Sequence, residues 1–333
     1  MGRDSVRLRH FTITLKLLVG ASLVYLLVRN ASLADVWELL SGARPHLVLL
    51  SLLSFAAAVT LNALRWRIVL GLMGSPVPVR VAVVGTLEGM FFNLFLPTGI
   101  GGDVARTYRA YDFGLDTRRA VEGTLADRAL GLWGLAVAVA VASLFSPGLW
   151  SIAGWQWLLG AAALVIAGGL AVGHGAAFLP VRAQNRWLDA AMRLVAAYSQ
   201  IVRSRRFCTH IVPVLLLANL CIGVSATLAA RSIGLVAPLA DMTIVVEGGS
   251  LAALVPVSIG GWGVREGAVA LLMMGMGHSR SAALALSALM GAVLATIGLA
   301  GAAIWMASPY KRSIGLARLR GAKAQRTVGR HDQ

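Results

Sequence analysis

Negative charge is scarce in this chain. Only 14 Asp and Glu stand against 30 Lys and Arg, and charged residues of both signs make up 13% of the sequence. A soluble domain carries about 25% charged residues, so most of this chain has no water-facing surface to cover. Lysine is nearly missing: Lys16, Lys311 and Lys323 are the only three, and arginine supplies almost all of the formal +16. The two cysteines exclude a disulfide framework, because Cys208 lies at a basic segment and Cys221 inside an apolar run. The six histidines never fall at metal-ligand spacing, and no Gly-x4-Gly-Lys-Ser/Thr loop exists to hydrolyse ATP. No metal or cofactor is expected. Nucleic acid is not an expected partner either, since no basic patch is interleaved with exposed aromatics on a soluble module.

What the chain does have is long apolar runs, with 58% hydrophobic residues overall. A bilayer core about 30 Å thick needs roughly 20 apolar helical residues. Runs of that kind fall at about 11–28, 46–64, 125–146, 156–178, 210–230 and 282–306. The first follows Arg3, Arg7, Arg9 and Lys16; it is too long for a signal-peptide core and is read as a retained helix. A short segment, Ala34 to Leu40, reads as an interfacial helix.

Arginine clusters orient the spans, since basic loops stay inside. The second span ends at Arg65-Trp66-Arg67, on the inner side. Arg106, Arg109, Arg118 and Arg119 are inside again, so the apolar stretch at about 81–97 enters and returns on one face. The loop with Trp150, Trp155 and Trp157 has no basic residue and reads as an outer aromatic belt. The linker at about 180–206 holds Arg182, Arg186, Arg193, Arg203, Arg205 and Arg206, with Trp187, Leu188, Ala191, Leu194, Val195 and Tyr198 at helical spacing. It reads as an amphipathic helix on the inner leaflet. Gly169-x3-Gly173 in the preceding span is a close-packing pair for a neighbouring helix.

One signature occurs twice. Glu-Gly-x7-Pro-x3-Gly-Gly-x3-Arg runs from Glu88 to Arg106 and again from Glu247 to Arg265, at a constant offset of 159 residues. The same shift carries span 46–64 onto 205–223 and 125–146 onto 284–305. Three crossings separate the copies, so they are inverted in the membrane, a plan that transporters build around broken helices. The expected architecture is an all-α integral membrane protein with about six transmembrane helices and two oppositely oriented re-entrant hairpins in an inverted repeat. Residues 1–310 form one membrane domain, with repeat A at about 46–146, repeat B at about 205–306 and a basic tail at 311–333.

The residue types suit a polar site at membrane depth. Pro97 and Pro256 break helices. Gly99, Gly101 and Gly102, like Gly260, Gly261 and Gly263, permit left-handed turns and close backbone approach. Freed N–H groups at a helix start attract anions, and Arg106 and Arg265 add charge, which fits a phosphate-bearing headgroup. Glu88 and Glu247 are intramembrane carboxylates, costly and therefore functional candidates: proton carriers, or partners for an arginine or an amine headgroup. Bland readings stand beside these. The glycines turn tight hairpins, Arg106 and Arg265 contact ordinary lipid, and the glutamates pair with arginine of the other repeat. Asp103-x2-Arg106 and Arg265-Glu266 read equally as local ion pairs. Asp127-Arg128 has no counterpart at the offset and either caps the following span or lines the site, with structure favoured.

Four ordered motifs resemble the lysylphosphatidylglycerol synthase transmembrane region family. They are Leu64-Arg65-Trp66-Arg67; Asn93-Leu94-Phe95-Leu96-Pro97 with Gly101-Gly102-Asp103-x2-Arg106; Asp127-Arg128-x2-Gly131-Leu132; and Pro256-x-Ser258-x-Gly260-Gly261-x-Gly263-x-Arg265-Glu266-Gly267. The resemblance covers about residues 10–307. It implies a flippase-like region that, in bifunctional members, moves aminoacylated phosphatidylglycerol between leaflets. Those members continue into a soluble aminoacyl-transferase domain, which is not expected here, so the chain is not expected to be an enzyme. The lipid stays open among anionic phospholipid, aminoacyl-lipid, hopanoid and glycolipid.

The sequence thus predicts a lipid flippase or scramblase of the bacterial cytoplasmic membrane with both termini cytoplasmic. The expected headgroup site comprises Glu88, Asn93, Gly101, Gly102, Asp103, Arg106, Asp127 and Arg128 from one copy. The other copy supplies Glu247, Ser258, Gly260, Gly261, Arg265 and Glu266. A membrane enzyme and an accessory subunit of a lipid-synthesis complex are the alternatives, and a homo-oligomer or a lipid-synthesis enzyme partner is left open.

Overall fold

A computed structural model describes residues 22, 25, 29, 31–95, 100–175, 185–253 and 263–308. The expected first span at 11–28 lies largely outside these residues, as does the basic tail. Among the described residues every regular element is a helix: α1 (Leu33–Ser41), α2 (Pro45–Leu72), α3 (Val79–Phe95), α4 (Gly101–Asp112), α5 (Thr117–Ser143), α6 (Pro147–Trp150), α7 (Trp155–Gly175), α8 (Arg186–Val202), α9 (Val212–Ser232), α10 (Leu239–Ala252), α11 (Val264–Gly275) and α12 (Arg280–Ala307). A π-helical turn, Phe207–Ile211, leads directly into α9. The wider turn suits Pro213, which has no N–H to donate and whose ring would crowd a tighter preceding turn.

Five of these helices are long and apolar enough to cross a membrane: α2, α5, α7, the continuous Phe207–Ser232 and α12. Four are longer than the apolar runs foretold, and in α2 and α5 the added turns carry paired charges. α2 does not end at Arg65-Trp66-Arg67 but continues to Leu72, with Trp66 fully buried and Arg65 only 7% exposed. α5 starts at Thr117, capped by Asp116, whose side chain accepts the amides of Arg118 and Arg119. Hydropathy alone ends a span at its first charge. Here the charges are paired with one another, so the helices run on.

The two copies correspond helix by helix: α1 to α5 in the first, α8 to α12 in the second. Four of the matched helices end just ahead of a glycine in the left-handed region, at Gly74 and Gly234 after α2 and α9, and at Gly114 and Gly277 after α4 and α11. Only glycine takes that conformation without cost. Pro78 and Pro238 then precede α3 and α10.

Packing follows the same exchange. α3 lies against α12 as α10 lies against α5, and α1 meets α12 as α8 meets α5. The matched helices α2 and α9 pack directly on each other. Ser51 and Ser225 exchange hydrogen bonds through their side chains and carbonyls at 2.8–3.0 Å, Ser54 donates to the Cys221 carbonyl at 2.8 Å, and the Arg44 amide donates to Ser232 at 2.9 Å. As residue numbers rise on one helix they fall on the other, so α2 and α9 are antiparallel. The repeat is therefore inverted along the bundle.

Small residues let these helices approach. Van der Waals packing and interhelical hydrogen bonds hold helices together where lipid surrounds them, and glycine or alanine at the contact permits both. A Cβ on Gly301 would overlap the Leu87 carbonyl, on Gly134 the Leu215 side chain, and on Gly223 the Thr243 hydroxyl. Gly169 and Gly173 do what their spacing suggested: they receive Trp133 and Tyr198, and Val202. α8 itself departs from expectation. Its Tyr198, Ile201 and Val202 are buried against Val69, Leu130 and Phe207, so this part of its apolar face covers the bundle instead of a leaflet.

Candidate functional site

The charges of the first copy converge where α2, α4 and α5 meet. Asp127, fully buried near the middle of α5, accepts Arg65 Nε at 2.8 Å and Nη2 at 3.3 Å from α2. It also accepts Arg106 Nη1 at 2.8 Å from α4. Arg106 in turn reaches Asp103 at 2.6 Å, and its guanidinium lies 5.5 Å from the centre of the Trp66 ring. Arg128 closes the group by pairing with Asp103 from the surface side. Three guanidiniums thus face two carboxylates, and the Arg128 side chain at the edge of the group is 38% exposed. Beside this network Glu88 of α3 is held by Arg109 of α4, through Nε at 3.0 Å and through Nη2. Arg109 also donates to Ser308 at 2.9 Å.

Several expectations change here. Asp127 does not cap α5. Arg106 does not sit at a lipid interface but is the local partner of Asp103 and the bridge to Asp127. Glu88 pairs with an arginine of its own copy, Arg109, which the signature had passed over. Arg65 had also been passed over as a site residue. Arg65 had a signal, since an arginine at the end of an apolar run needs an anion to stay there; Arg109, in a polar stretch, had none.

The signature's turns are supplied from within. α3 and α4 run antiparallel, with Gly85 beside Arg109 and Gly89 beside Gly102. A Cβ on Gly102 would lie 2.6 Å from the Gly89 carbonyl, so this glycine serves close approach; neither Gly101 nor Gly102 has a positive φ. The Gly102 amide is taken by Asn93 Oδ1 at 2.7 Å. At the start of α11 the Gly263 amide is taken by Glu266 at 2.8 Å, and Gly263 does adopt the left-handed conformation, φ +83°. Both helix starts thus carry an internal acceptor where a bound anion had been imagined. Pro97, Pro256, Ser258, Gly260 and Gly261 lie outside the described residues.

The second copy has the same backbone plan with different chemistry. α10 and α11 form the matching antiparallel pair, based at the end of the bundle opposite to that of α3 and α4. Glu247 is 2% exposed, and its Oε1 has no hydrogen-bond partner among the described residues. It borders a cavity of about 240 Å³ with Ser250, Arg265, Ser287, Phe55, Ile222 and Met290. Arg265 holds Glu266 through Nε at 3.1 Å and Nη2 at 2.7 Å, the local pair foreseen as one reading.

A multi-pass helical membrane protein, with a buried ion-pair network in one half of an inverted repeat and a buried carboxyl beside a cavity in the other, is the class that this fold and site define. The chain belongs to the Lysylphosphatidylglycerol synthase TM region family, which matches residues 13–307. That membership places it among membrane proteins related to lipid handling. No individual curated protein matches it.

Proposed function

We propose that this protein moves a lipid with a polar headgroup between the leaflets of the bacterial cytoplasmic membrane, as a flippase or scramblase with both termini on the cytoplasmic side. The observation that carries the reading is the inversion. Two helix pairs, α3–α4 and α10–α11, enter the bundle from opposite ends, and the second borders a cavity with a carboxyl and a guanidinium on its wall. In this reading the pairs are re-entrant hairpins, the cavity admits the headgroup, Arg265 faces its phosphate, and the acyl tails stay in lipid. Transporters of inverted design bind substrate where the two repeats meet. A membrane enzyme is the weaker reading, because Asp103, Asp127, Glu88 and Glu266, the carboxylates it would use as acid or base, are all held by arginine.

The test is reconstitution into vesicles containing a fluorescent phospholipid, with an impermeant quencher reporting headgroup exposure. Faster exposure than in protein-free vesicles, slowed at least severalfold by Arg265→Ala, is the expected result. Exposure no faster than in empty vesicles, across anionic, aminoacylated and glycosylated lipids, would refute the reading.

A further inference from the structure

We infer that Glu247 is a proton-exchange site, a carboxyl that takes up and releases one proton from the cavity it borders and so couples the proposed lipid movement to protons. The inference rests on the transport reading for its purpose, but not for its chemistry.

The internal repeat supplies the argument. Glu88 and Glu247 occupy the same place in the two copies, 159 residues apart. Glu88 is neutralised by Arg109 on the facing helix α4. At the same offset the facing helix α11 has Ala268, and after Glu266 it carries no charged residue at all: Gly267-Ala268-Val269-Ala270-Leu271-Leu272-Met273-Met274-Gly275. Asp127 and Arg128 are likewise replaced by Leu286 and Ser287, both on the cavity wall. The space and charge that the arginines fill in one copy are a cavity and an unpartnered oxygen in the other. An ionised carboxylate so buried, with Oε1 unpartnered among the described residues and the Arg265 guanidinium engaged by Glu266, costs several kcal/mol relative to water. Taking a proton removes that cost, and the cavity leaves room for the water that would deliver it.

The surrounding groups support a proton over a fixed ion pair. Arg265 is the one other charged residue on the cavity wall among the described residues, and its guanidinium is engaged by Glu266. α2, α9 and α12 present Phe55, Ile222, Leu286, Ser287 and Met290, none of them titratable. α5 and α7 meet α10 through Ala142 and Leu158. Asp241, at the start of α10, is taken by Ser146.

Dicyclohexylcarbodiimide reports such a group directly. The apolar reagent reaches carboxyls in a membrane and adds to them only when they are protonated. With the full chain in lipid nanodiscs, peptide mass mapping is expected to find one adduct on Glu247 and none on Glu88. Its rate should fall about tenfold per pH unit on the alkaline side, as for a single proton, and Glu247→Gln should abolish it. Absence of the adduct on wild-type protein overturns the inference. So does a rate unchanged between about pH 6 and 9, or suppression by Na⁺ at fixed pH, which would make the site one for a metal cation. The readout is independent of lipid movement. Labelling that depends on pH without any lipid movement would retain the proton site and remove its transport role. Lipid movement by Glu247→Gln equal to wild type at every pH, with no label on the wild type, would remove the proton site and leave transport standing.

Discussion

Asp127 is the single residue on which the first copy's charge network turns, and its removal has a calculable outcome. It accepts three hydrogen bonds from two arginines, on a side chain with no solvent exposure. Asp127→Ala strands Arg65, whose side chain is 8% exposed and whose hydrogen bonds both go to Asp127. Breaking a buried pair by removing one partner costs about 3–5 kcal/mol, mainly because the remaining charge stays buried. Arg106 keeps Asp103, so its loss is one charge-assisted bond, about 1.5 kcal/mol more. A total near 5 kcal/mol is between about a third and all of the stability of an ordinary domain, which is about 5–15 kcal/mol.

The second copy suggests the compensating experiment. At the offset of 159 it holds Val224 and Leu286 where the first holds Arg65 and Asp127, and Leu286 is fully buried. An apolar pair therefore fits the same place in the scaffold. Arg65→Met with Asp127→Leu is expected to recover more than about 2 kcal/mol of the loss seen in Asp127→Ala, since well-packed apolar replacements of buried ion pairs are often neutral. The assay is unfolding of the purified protein in mixed micelles titrated with dodecyl sulfate, followed by tryptophan fluorescence. Asp127→Ala within about 1 kcal/mol of the parent, the value of an exposed pair, would refute the reasoning. A double variant less stable than Asp127→Ala would refute it too.

Two further expectations use the same titration. Gly301→Ala pushes a methyl group into the Leu87 carbonyl where α12 crosses α3, so it should destabilise by about 1–3 kcal/mol. Gly168→Ala, with nothing within 4 Å of the new methyl, should be neutral or stabilising by up to about 1 kcal/mol. Ser51→Ala and Ser225→Ala should each cost about 1 kcal/mol, and the double variant should cost clearly less than their sum, because both remove one reciprocal contact between α2 and α9.

How much of this was legible in the residues depended on range. The apolar runs are local, and so were the spans they foretold. The offset of 159 is a property of the text alone, and it anticipated the matching of α2 with α9 and of α5 with α12. The local pairs Asp103–Arg106 and Arg265–Glu266 were legible as one reading, but the distant partners of the charges were not. Arg65 meets Asp127 across 62 positions and Arg109 meets Ser308 across 199, and no periodicity carries that information. The helix lengths were misjudged for the same reason. A span read by hydropathy stops at Arg65, whereas the protein brings Asp127 to it and continues the helix for another two turns. The role of Gly102 was misjudged differently. Glycine permits a left-handed turn or a close approach, and only the position of the Gly89 carbonyl decides between them.

Each copy serves as the control for the other. A buried glutamate in one copy alone would admit the reading that the fold needs a carboxylate there for packing. The pair separates the two roles. Glu88 shows how the scaffold satisfies such a group when the need is structural: an arginine on the facing helix, donating from two nitrogens, with Ser308 holding the arginine in turn. Glu247 has the same backbone around it but apolar residues, two serines, a cavity and an Arg265 that Glu266 already engages, and its Oε1 has no hydrogen-bond partner among the described residues. Where Arg109 pairs Glu88, the facing helix of the second copy has Ala268, and the proposed proton exchange accounts for a carboxyl in that place. In the proposed reading that carboxyl is satisfied by an exchangeable proton, and an exchangeable proton is what a proton-coupled carrier requires.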